Sequence, residues 1–272
     1  MKKILLSSIV AASVCTSAFA HFQMVYTPES ALEKGTTIPV KIVFNHPFAD
    51  EHTMDMGLQK DGKIKPIEEF YVVHKGEKKD LKESLKEITF KGNSNSGKGY
   101  ETEYKARKMG DHILVATPAP YYEANEDGYI QQITKVIVNV AGAPTDWDSE
   151  LGLKAEIVPL TKPYSIWTGS TFSGIVKGNG KPVPFAEIEV EYLNYDVDIK
   201  ANKMGKKAHA KAPQDSFVTL TIKADQDGKF TFGIPKAGWW GFAALGVGEQ
   251  DKYDGKELSQ DAVIWVQAKD MK

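Results

Sequence analysis

Histidines are the residues of this chain best suited to chemistry, and they concentrate in its first half. Five of the six precede residue 113, namely His21, His46, His52, His74 and His112. Imidazole nitrogen binds nickel, copper and zinc well, whereas thioether sulfur suits softer ions. The densest group runs from His46 to Met56 and also contains Met54. This grouping indicates a transition-metal site built around imidazoles.

His21 gains a second donor atom if the segment before it is removed. Residues 1–3 are a short basic start, residues 4–14 are apolar or small, and Ala18-Phe19-Ala20 has the small-x-small form of a signal-peptidase site. Cleavage is therefore expected after Ala20, which would place the α-amine of His21 beside its own imidazole. These two nitrogens can close a chelate ring on a transition metal near neutral pH.

The other candidate ligands differ in their local setting. His46 ends an alternating strand where the chain enters a loop, so a rigid element would hold an accessible ligand. His112 begins another strand, where it either faces a site or caps the strand. Met54 and Met56 alternate like strand residues and suit a core as well as a site. His74, among lysines, is expected to be solvated. The predicted metal ligands are His21, His46, His112, His52 and Met54.

The start of the chain also predicts its compartment. Its apolar stretch is too short to cross a membrane, and no later stretch is long enough, so we expect an exported, periplasmic protein that does not span the membrane. The single cysteine, Cys15, lies in the segment expected to be removed. The mature chain would then have no disulfide and no thiolate ligand. Lipidation at Cys15 is the alternative and would block the amine, but Ala12-Ser13-Val14 is a poor lipoprotein signal.

Charge and missing motifs exclude several classes of function. Lys and Arg number 34 against 36 Asp and Glu, and loss of Lys2 and Lys3 gives 32 − 36 = −4. A mildly acidic chain is a poor ligand for nucleic acid or an anionic membrane. The sequence has no phosphate-binding glycine loop, no nucleophile elbow and no His-Glu-x-x-His motif. We therefore expect a binding protein rather than an enzyme.

Residues alternate between apolar and polar along most of the chain, which predicts strands. The clearest cases are Ile38 to Phe44, Val136 to Val140, Leu151 to Ile157 and Ile188 to Tyr192. Helical periodicity is confined to one short helix or turn between Leu81 and Ile88. The fold class predicted is all-β.

The prolines between residues 159 and 163 indicate a domain boundary. We predict two β-sandwiches in tandem, an immunoglobulin-like or prealbumin-like pair covering residues 21–160 and 161–272, after a signal peptide at residues 1–20. The first is expected to bind metal. The lysine-rich stretch from Tyr195 to Ser216 is expected to be a solvated loop.

Several short motifs in combination resemble the DUF4198 family of exported proteins over essentially the whole mature chain. They are His21-Phe22-Gln23-Met24, Phe44-Asn45-His46-Pro47-Phe48, Met54-Asp55-Met56, Pro118-Ala119-Pro120-Tyr121-Tyr122-Glu123, Gly238-Trp239-Trp240-Gly241-Phe242-Ala243-Ala244 and the tail from Trp265 to Met271. The resemblance implies a periplasmic companion of energy-coupling-factor-type transporters for nickel and cobalt. Tyr121-Tyr122 departs from the Tyr-Trp pair often found in that family. The resemblance implies no particular ligand set.

The residues and the resemblance together predict a periplasmic protein that binds Ni²⁺ or Co²⁺ and supplies an inner-membrane importer, with copper and zinc as other ions that the site suits. One alternative is a copper-dependent oxygenase that uses the N-terminal histidine and a second imidazole. Another is a metal-free sandwich that binds sugar or protein through Trp239-Trp240 and Tyr121-Tyr122.

Overall fold

The computed structural model describes residues 21–271, which form strands joined by turns, so the all-β prediction is confirmed. The predicted signal segment, its cleavage point after Ala20 and Cys15 lie outside the described residues. The strands are β1 Phe22–Tyr26, β2 Ala31–Leu32, β3 Thr36–Asn45, β4 Thr53–Met54, β5 Glu69–His74, β6 Glu77–Asp80, β7 Lys86–Lys91, β8 Ser96–Ala106, β9 Gly110–Thr117, β10 Tyr121–Glu123, β11 Gly128–Val140, β12 Ala155–Pro159, β13 Ile166–Trp167, β14 Thr171–Gly178, β15 Lys181–Pro182, β16 Glu187–Tyr192, β17 Val197–Asp198, β18 Lys203–Met204, β19 Leu220–Lys223, β20 Lys229–Gly233, β21 Gly238–Ala244, β22 Lys252–Tyr253 and β23 Lys256–Lys269.

Two segments that were predicted to contain no strand, a short helix or turn and a solvated loop, contain strands in the structure. Between Leu81 and Ile88 the helix is a single 3₁₀ turn, Lys82–Ser84, and the chain then enters β7. The lysine-rich stretch contains β17, β18 and a second 3₁₀ turn, Asp215–Phe217. Met204 in β18 is only 3% exposed. The buried Met204 side chain therefore holds part of this stretch against the body of the protein.

No helix in residues 21–271 has the length and apolar character needed to cross a membrane.

The described strands form three sheets. A seven-stranded sheet has the order β1-β3-β8-β7-β18-β17, with β4 beside β3. A twelve-stranded sheet has the order β19-β16-β21-β23-β11-β9-β5-β6. Four short strands complete it, of which β2 and β10 pair with β11, and β13 and β22 pair with β23. A four-stranded sheet, β12-β14-β15 with β20, is the third. The twelve-stranded sheet is called the middle sheet below.

The middle sheet is buried on both faces. Val263 and Trp265 of β23 belong to a core shared with the seven-stranded sheet, called the inner core. Ala262, Ile264 and Val266 of the same strand belong to a second core shared with the four-stranded sheet. Since successive side chains of a strand point to opposite faces, β23 contributes to both cores at once. The molecule therefore has three layers.

The predicted boundary at residue 160 does not separate two sheets. Tyr129–Val136 of β11 pairs in parallel, residue by residue, with Leu258–Trp265 of β23. One strand from each predicted domain thus lies at the centre of the same sheet. The two sandwiches share their middle layer, because both strands are buried on both faces and each needs cover on two sides.

A buried ion pair joins the middle sheet to the four-stranded sheet. The Lys135 ammonium donates to Glu156 across 2.7 Å, and the two side chains are 2% and 1% exposed. Glu156 also accepts hydrogen bonds from the backbone N–H groups of Leu151 and Leu153. Burial lowers the pKa of Lys135, and the charge of Glu156 opposes that shift. The carboxylate therefore holds two sheets and a loop together.

Loss of one partner of this pair should destabilise the fold strongly. We expect Lys135→Met to lower the free energy of unfolding by about 3–5 kcal/mol, because it leaves the Glu156 carboxylate buried without its cation. Lys135→Met combined with Glu156→Leu should recover much of that loss. Urea unfolding measures both. The control is Lys63→Met, which removes an exposed partner of Asp61 and should leave stability nearly unchanged. Equal losses for Lys135→Met and Lys63→Met would contradict this account.

Candidate metal centre

Three of the predicted ligands come together at one end of the seven-stranded sheet. Phe22 of β1 lies opposite Asn45 of β3, so His21 and His46 are neighbours just beyond that pair. Their ring centroids are 4.8 Å apart and the rings are nearly perpendicular, at 88°. The ring of His52 lies 6.0 Å from that of His46. Burial, with the charges of His46 and His21, lowers the pKa of His52.

Each of the two closest histidines contacts a carboxylate. The Nε2 atom of His21 lies 3.0 Å from an oxygen of Glu123 in β10. The Nδ1 atom of His46 makes a short hydrogen bond to Glu51. The hydrogen bond from His21 lowers the pKa of Glu123 to about 2. Burial alone would raise the pKa of Glu51, but the hydrogen bond and charge of His46 outweigh it and lower this pKa.

These contacts determine which ring nitrogens can meet a metal. A carboxylate only accepts hydrogen bonds, so the nitrogen that faces it carries the hydrogen. The Nε2 atom of His21 then donates to Glu123, so His21 would bind a metal through Nδ1. The Nδ1 atom of His46 donates to Glu51, so His46 would bind a metal through Nε2. The Nδ1 atom of His21 is also the ring nitrogen nearer its own backbone nitrogen.

A buried glutamine fixes the backbone of His21. The Gln132 side chain donates to the His21 carbonyl at 2.6 Å and to Asp261 at 3.2 Å. Its carbonyl oxygen accepts from the backbone N–H of Gln23 at 2.7 Å. Gln132 lies in β11 and Asp261 in β23, so the two central strands of the middle sheet position His21.

An acidic row, Glu189, Glu191 and Asp261, lines the middle sheet near this end. Glu191 pairs with Gly241 and Glu189 with Ala243, so they share the face on which Ala243 joins the inner core. The backbone N–H of Phe48 donates to Glu191 at 3.2 Å, which ties the loop after His46 to β16. Burial raises the pKa of Glu189 to about 7 and also raises those of Glu191 and Asp261. A positive charge on His21 lowers the pKa values of Glu189 and Asp261. A positive charge near His21 would therefore favour ionisation of Glu189 and Asp261.

His112 lies in a different part of the structure. Its Nε2 atom is 2.9 Å from the Lys108 carbonyl, and its Nδ1 atom is 2.7 Å from the Tyr104 hydroxyl. Because a carbonyl accepts only, Nε2 carries the hydrogen and Nδ1 accepts from Tyr104. Both nitrogens of the neutral ring are thus engaged, and burial lowers the His112 pKa. Along β9 it is four residues, about 13 Å, from Ala116, whose carbonyl accepts from the Gln23 side chain.

Met54 is packed in the protein interior. It pairs with Phe44, is 1% exposed and belongs to the inner core. The histidine predicted to be solvated, His74, is only partly exposed and stacks on His112 with centroids 4.3 Å apart. Of the five predicted ligands, the structure therefore brings together His21, His46 and His52.

Sequence reasoning did not single out Glu123 or Glu51 as functional residues. Glu51 is five positions after His46, and this spacing could have suggested the contact. Glu123 is 102 positions from His21, and no local pattern links them. Within residues 21–271, no three His, Cys, Asp or Glu side chains are placed to enclose a metal ion. A metal at the His21–His46 pair would need a further donor atom.

Three of the four aromatic residues proposed for sugar or protein binding are buried, whereas the fourth, Tyr122, is partly exposed. Trp239 and Trp240 are each 5% exposed, and the Trp240 indole N–H donates to the Lys236 carbonyl at 2.9 Å. Tyr121 is 9% exposed. Stacking on a sugar ring needs an open aromatic face, which the three buried residues do not offer.

The family described as "Domain of unknown function (DUF4198)" matches residues 18–248. The chain belongs to the DUF4198 family. The matched range includes His21, His46, His52 and both carboxylates that contact them. A search of curated proteins returned no match.

Among solved structures, this DUF4198 chain is similar at low identity and low TM-score to the three that follow. Domains A168–A170 of titin are 8% identical, with 89% of this chain and 62% of that chain covered and a TM-score of 0.20. The D00-D0 domain of intimin is 10% identical, covering 92% and 100%, with a TM-score of 0.21. A putative membrane-anchored protein from Corynebacterium diphtheriae is 15% identical, covering 92% and 60%, with a TM-score of 0.21. The fold class rests on the strands and sheets of this chain.

Neutralising Glu189 should stabilise the protein only at higher pH. An acid whose pKa is raised by folding keeps its proton while the unfolded chain releases it, so stability falls as the pH rises from the ordinary value of 4.5 to about 7. We expect Glu189→Gln to raise the melting temperature at about pH 8 and to change it little near pH 4, where both states are protonated. Thermal unfolding at both pH values measures this. Glu187→Gln, exposed on the same strand, is the control and should change neither. A lower melting temperature for Glu189→Gln at pH 8 would contradict the assignment.

Proposed function

We propose that this protein is an exported transition-metal-binding protein that captures Ni²⁺ or Co²⁺ and passes it to an inner-membrane importer. The observation that carries the proposal is the perpendicular His21–His46 pair, in which each imidazole contacts its own carboxylate. Metal-binding histidines typically donate their second ring nitrogen to a carboxylate, which fixes the tautomer and makes the ligand more basic. Both histidines have this arrangement.

The proposal includes cleavage after Ala20, which supplies the third donor atom. The α-amine of His21 and its Nδ1 atom would close a six-membered chelate ring on the metal, and Nε2 of His46 would complete a set of three nitrogens. His52 is the fourth candidate, since its ring lies 6.0 Å from that of His46. A divalent cation bound here would oppose the effect of burial on the pKa values of the acidic row, so these carboxyls would release protons and balance part of the metal charge.

The choice of ion follows from the donors and from the family resemblance. Nitrogen donors without thiolate suit nickel, cobalt, copper and zinc, and copper binds most such sites most tightly. Affinity alone therefore does not select nickel. The resemblance to proteins associated with nickel and cobalt uptake supports those ions as the cargo.

A copper oxygenase remains the second candidate, because perpendicular imidazoles also suit an N-terminal histidine copper site. Such an enzyme needs an exposed copper face on which a large substrate can lie. Here the His21 side chain is 19% exposed and that of His46 is 9%. A recessed site of this kind favours cargo binding over attack on an extended substrate.

Metal binding should require a free amine at His21. We expect one added methionine before His21 to weaken Ni²⁺ binding at least tenfold, about 1.4 kcal/mol, because an amide nitrogen is a far poorer donor. His21→Ala and His46→Ala should do similar harm without unfolding the protein, and binding should weaken below about pH 6 as protons compete. Titration calorimetry on correctly processed protein measures all of these.

The matched control for those variants is His209→Ala. His209 is exposed and its ring contacts Asp196 at 3.1 Å, so its loss should leave Ni²⁺ binding unchanged. If the protein with the added methionine binds Ni²⁺ as tightly as the processed one, the His21 centre is wrong.

The carboxylate partners should matter although they do not bind the metal. We expect Glu123→Gln to weaken Ni²⁺ binding about 10- to 100-fold, because the amide no longer fixes the His21 tautomer or adds negative charge. Glu126→Gln, three residues further along and exposed, is the control and should bind normally. Titration calorimetry measures Ni²⁺ binding by both variants. Equal affinities for Glu123→Gln and Glu126→Gln would refute the role of Glu123.

A further inference from the structure

A groove lies between the hairpin of β5 and β6 and the exposed side of β8, and it takes no part in the proposed metal centre. It encloses about 510 Å³, a volume within the usual range for small-molecule sites. Its lining contains five cationic side chains, Lys78, Lys79, Lys105, Arg107 and Lys108. Two acids, Glu77 and Glu103, are the opposing charges in that lining.

Most of this positive charge is uncompensated. Lys78 lies 3.8 Å from Glu69 and 3.7 Å from the centre of the Tyr71 ring. Within residues 21–271, the other four cations make no ion pair. The complete chain has a formal net charge of −2, so this concentration of cations contrasts with the molecule as a whole. A cleft lined by one sign of charge focuses the field and attracts ligands of the opposite sign.

The inner wall of the groove is rigid. His74 and His112 both line it, and their rings stack at 11°. Three hydrogen bonds hold the stack, from His74 to the Asp111 carbonyl at 2.8 Å, from His112 to the Lys108 carbonyl at 2.9 Å and from Tyr104 to His112 at 2.7 Å. A fixed wall beneath exposed cationic side chains gives the recess a constant shape.

The nearest buried acid does not cancel the charge of the groove. The Asp111 carboxylate accepts from the backbone N–H groups of Thr145, Asp146 and Trp147 at 2.6, 2.9 and 3.1 Å. It also accepts from the Asn139 side chain at 2.6 Å. These four donors hold the Asp111 carboxylate away from the groove, and it is absent from the groove lining.

We propose that this groove binds a small multivalent anion of the carboxylate or phosphate class, independently of the metal centre. Several lysines and one arginine around a concave wall can each donate to a different oxygen of such a ligand, and the arginine can do so through two parallel bonds. A monovalent anion would engage one cation at a time and bind weakly. The recess accommodates a free anion of citrate or pyrophosphate size.

The test is titration calorimetry at low ionic strength with citrate, pyrophosphate and acetate on the full-length processed protein. We expect citrate or pyrophosphate to bind, acetate to bind negligibly, and added salt to weaken binding. The double variant Lys105→Gln/Arg107→Gln should lose at least tenfold in affinity. The control Lys206→Gln/Lys207→Gln removes the same charge from an exposed segment elsewhere and should bind as the unaltered protein does.

Other outcomes overturn the proposal. Equal losses in the two double variants would show that only net charge matters, and absence of binding heat for both multivalent anions would exclude the site. Binding to vesicles that contain anionic phospholipid, without binding of either free anion, would make the groove a membrane contact instead. His21→Ala should leave anion binding intact, so failure of the metal centre and failure of this site are distinguishable.

Discussion

The fold depends on the burial of the middle sheet on both of its faces. The side chains of β11 and β23 are nearly all buried where the two strands pair, and the polar ones among them, such as Gln132, Lys135 and Asp261, have hydrogen-bond partners inside the protein. Parallel neighbours of this kind are found almost only where both faces of a sheet are covered. The seven-stranded and four-stranded sheets supply that cover, one on each face.

The same constraint positions the candidate metal centre. Phe22 packs edge-on against Trp265, with centroids 5.8 Å apart, and the Trp265 indole donates to the Gln23 carbonyl at 2.9 Å. β1 is thereby attached to the centre of the middle sheet, although it is an edge strand of its own sheet. His21 directly precedes this anchor. His21, at the beginning of the described chain, is consequently attached to the middle sheet through this anchor and through the hydrogen bond from Gln132 to its carbonyl.

Local patterns in the sequence were sufficient to predict strands but not their partners. Alternation identified β3 and β16 because the face that a side chain occupies is a local property. The parallel pairing of β11 with β23 joins segments more than 100 residues apart. Alternation within each strand does not predict which residues of the two strands lie opposite each other. Imidazole chemistry selected His21 and His46 as candidate ligands, and their ring centroids lie 4.8 Å apart in the structure. His112 has the same side chain, but Tyr104 and Lys108 occupy its nitrogens, which only the folded structure reveals.

The position of β23 in the middle sheet has a consequence for the order of events during biosynthesis. Residues 256–269 fill the gap between β11 and β21, so the sheet stays open until they have emerged. Asp261, which holds the glutamine that fixes His21, arrives with them. Long-range pairings of this kind form slowly, because the loop between the strands must close first. The chain would thus lack its native layers until residues 256–269 have been synthesised, and His21 and His46 would be set in place only then.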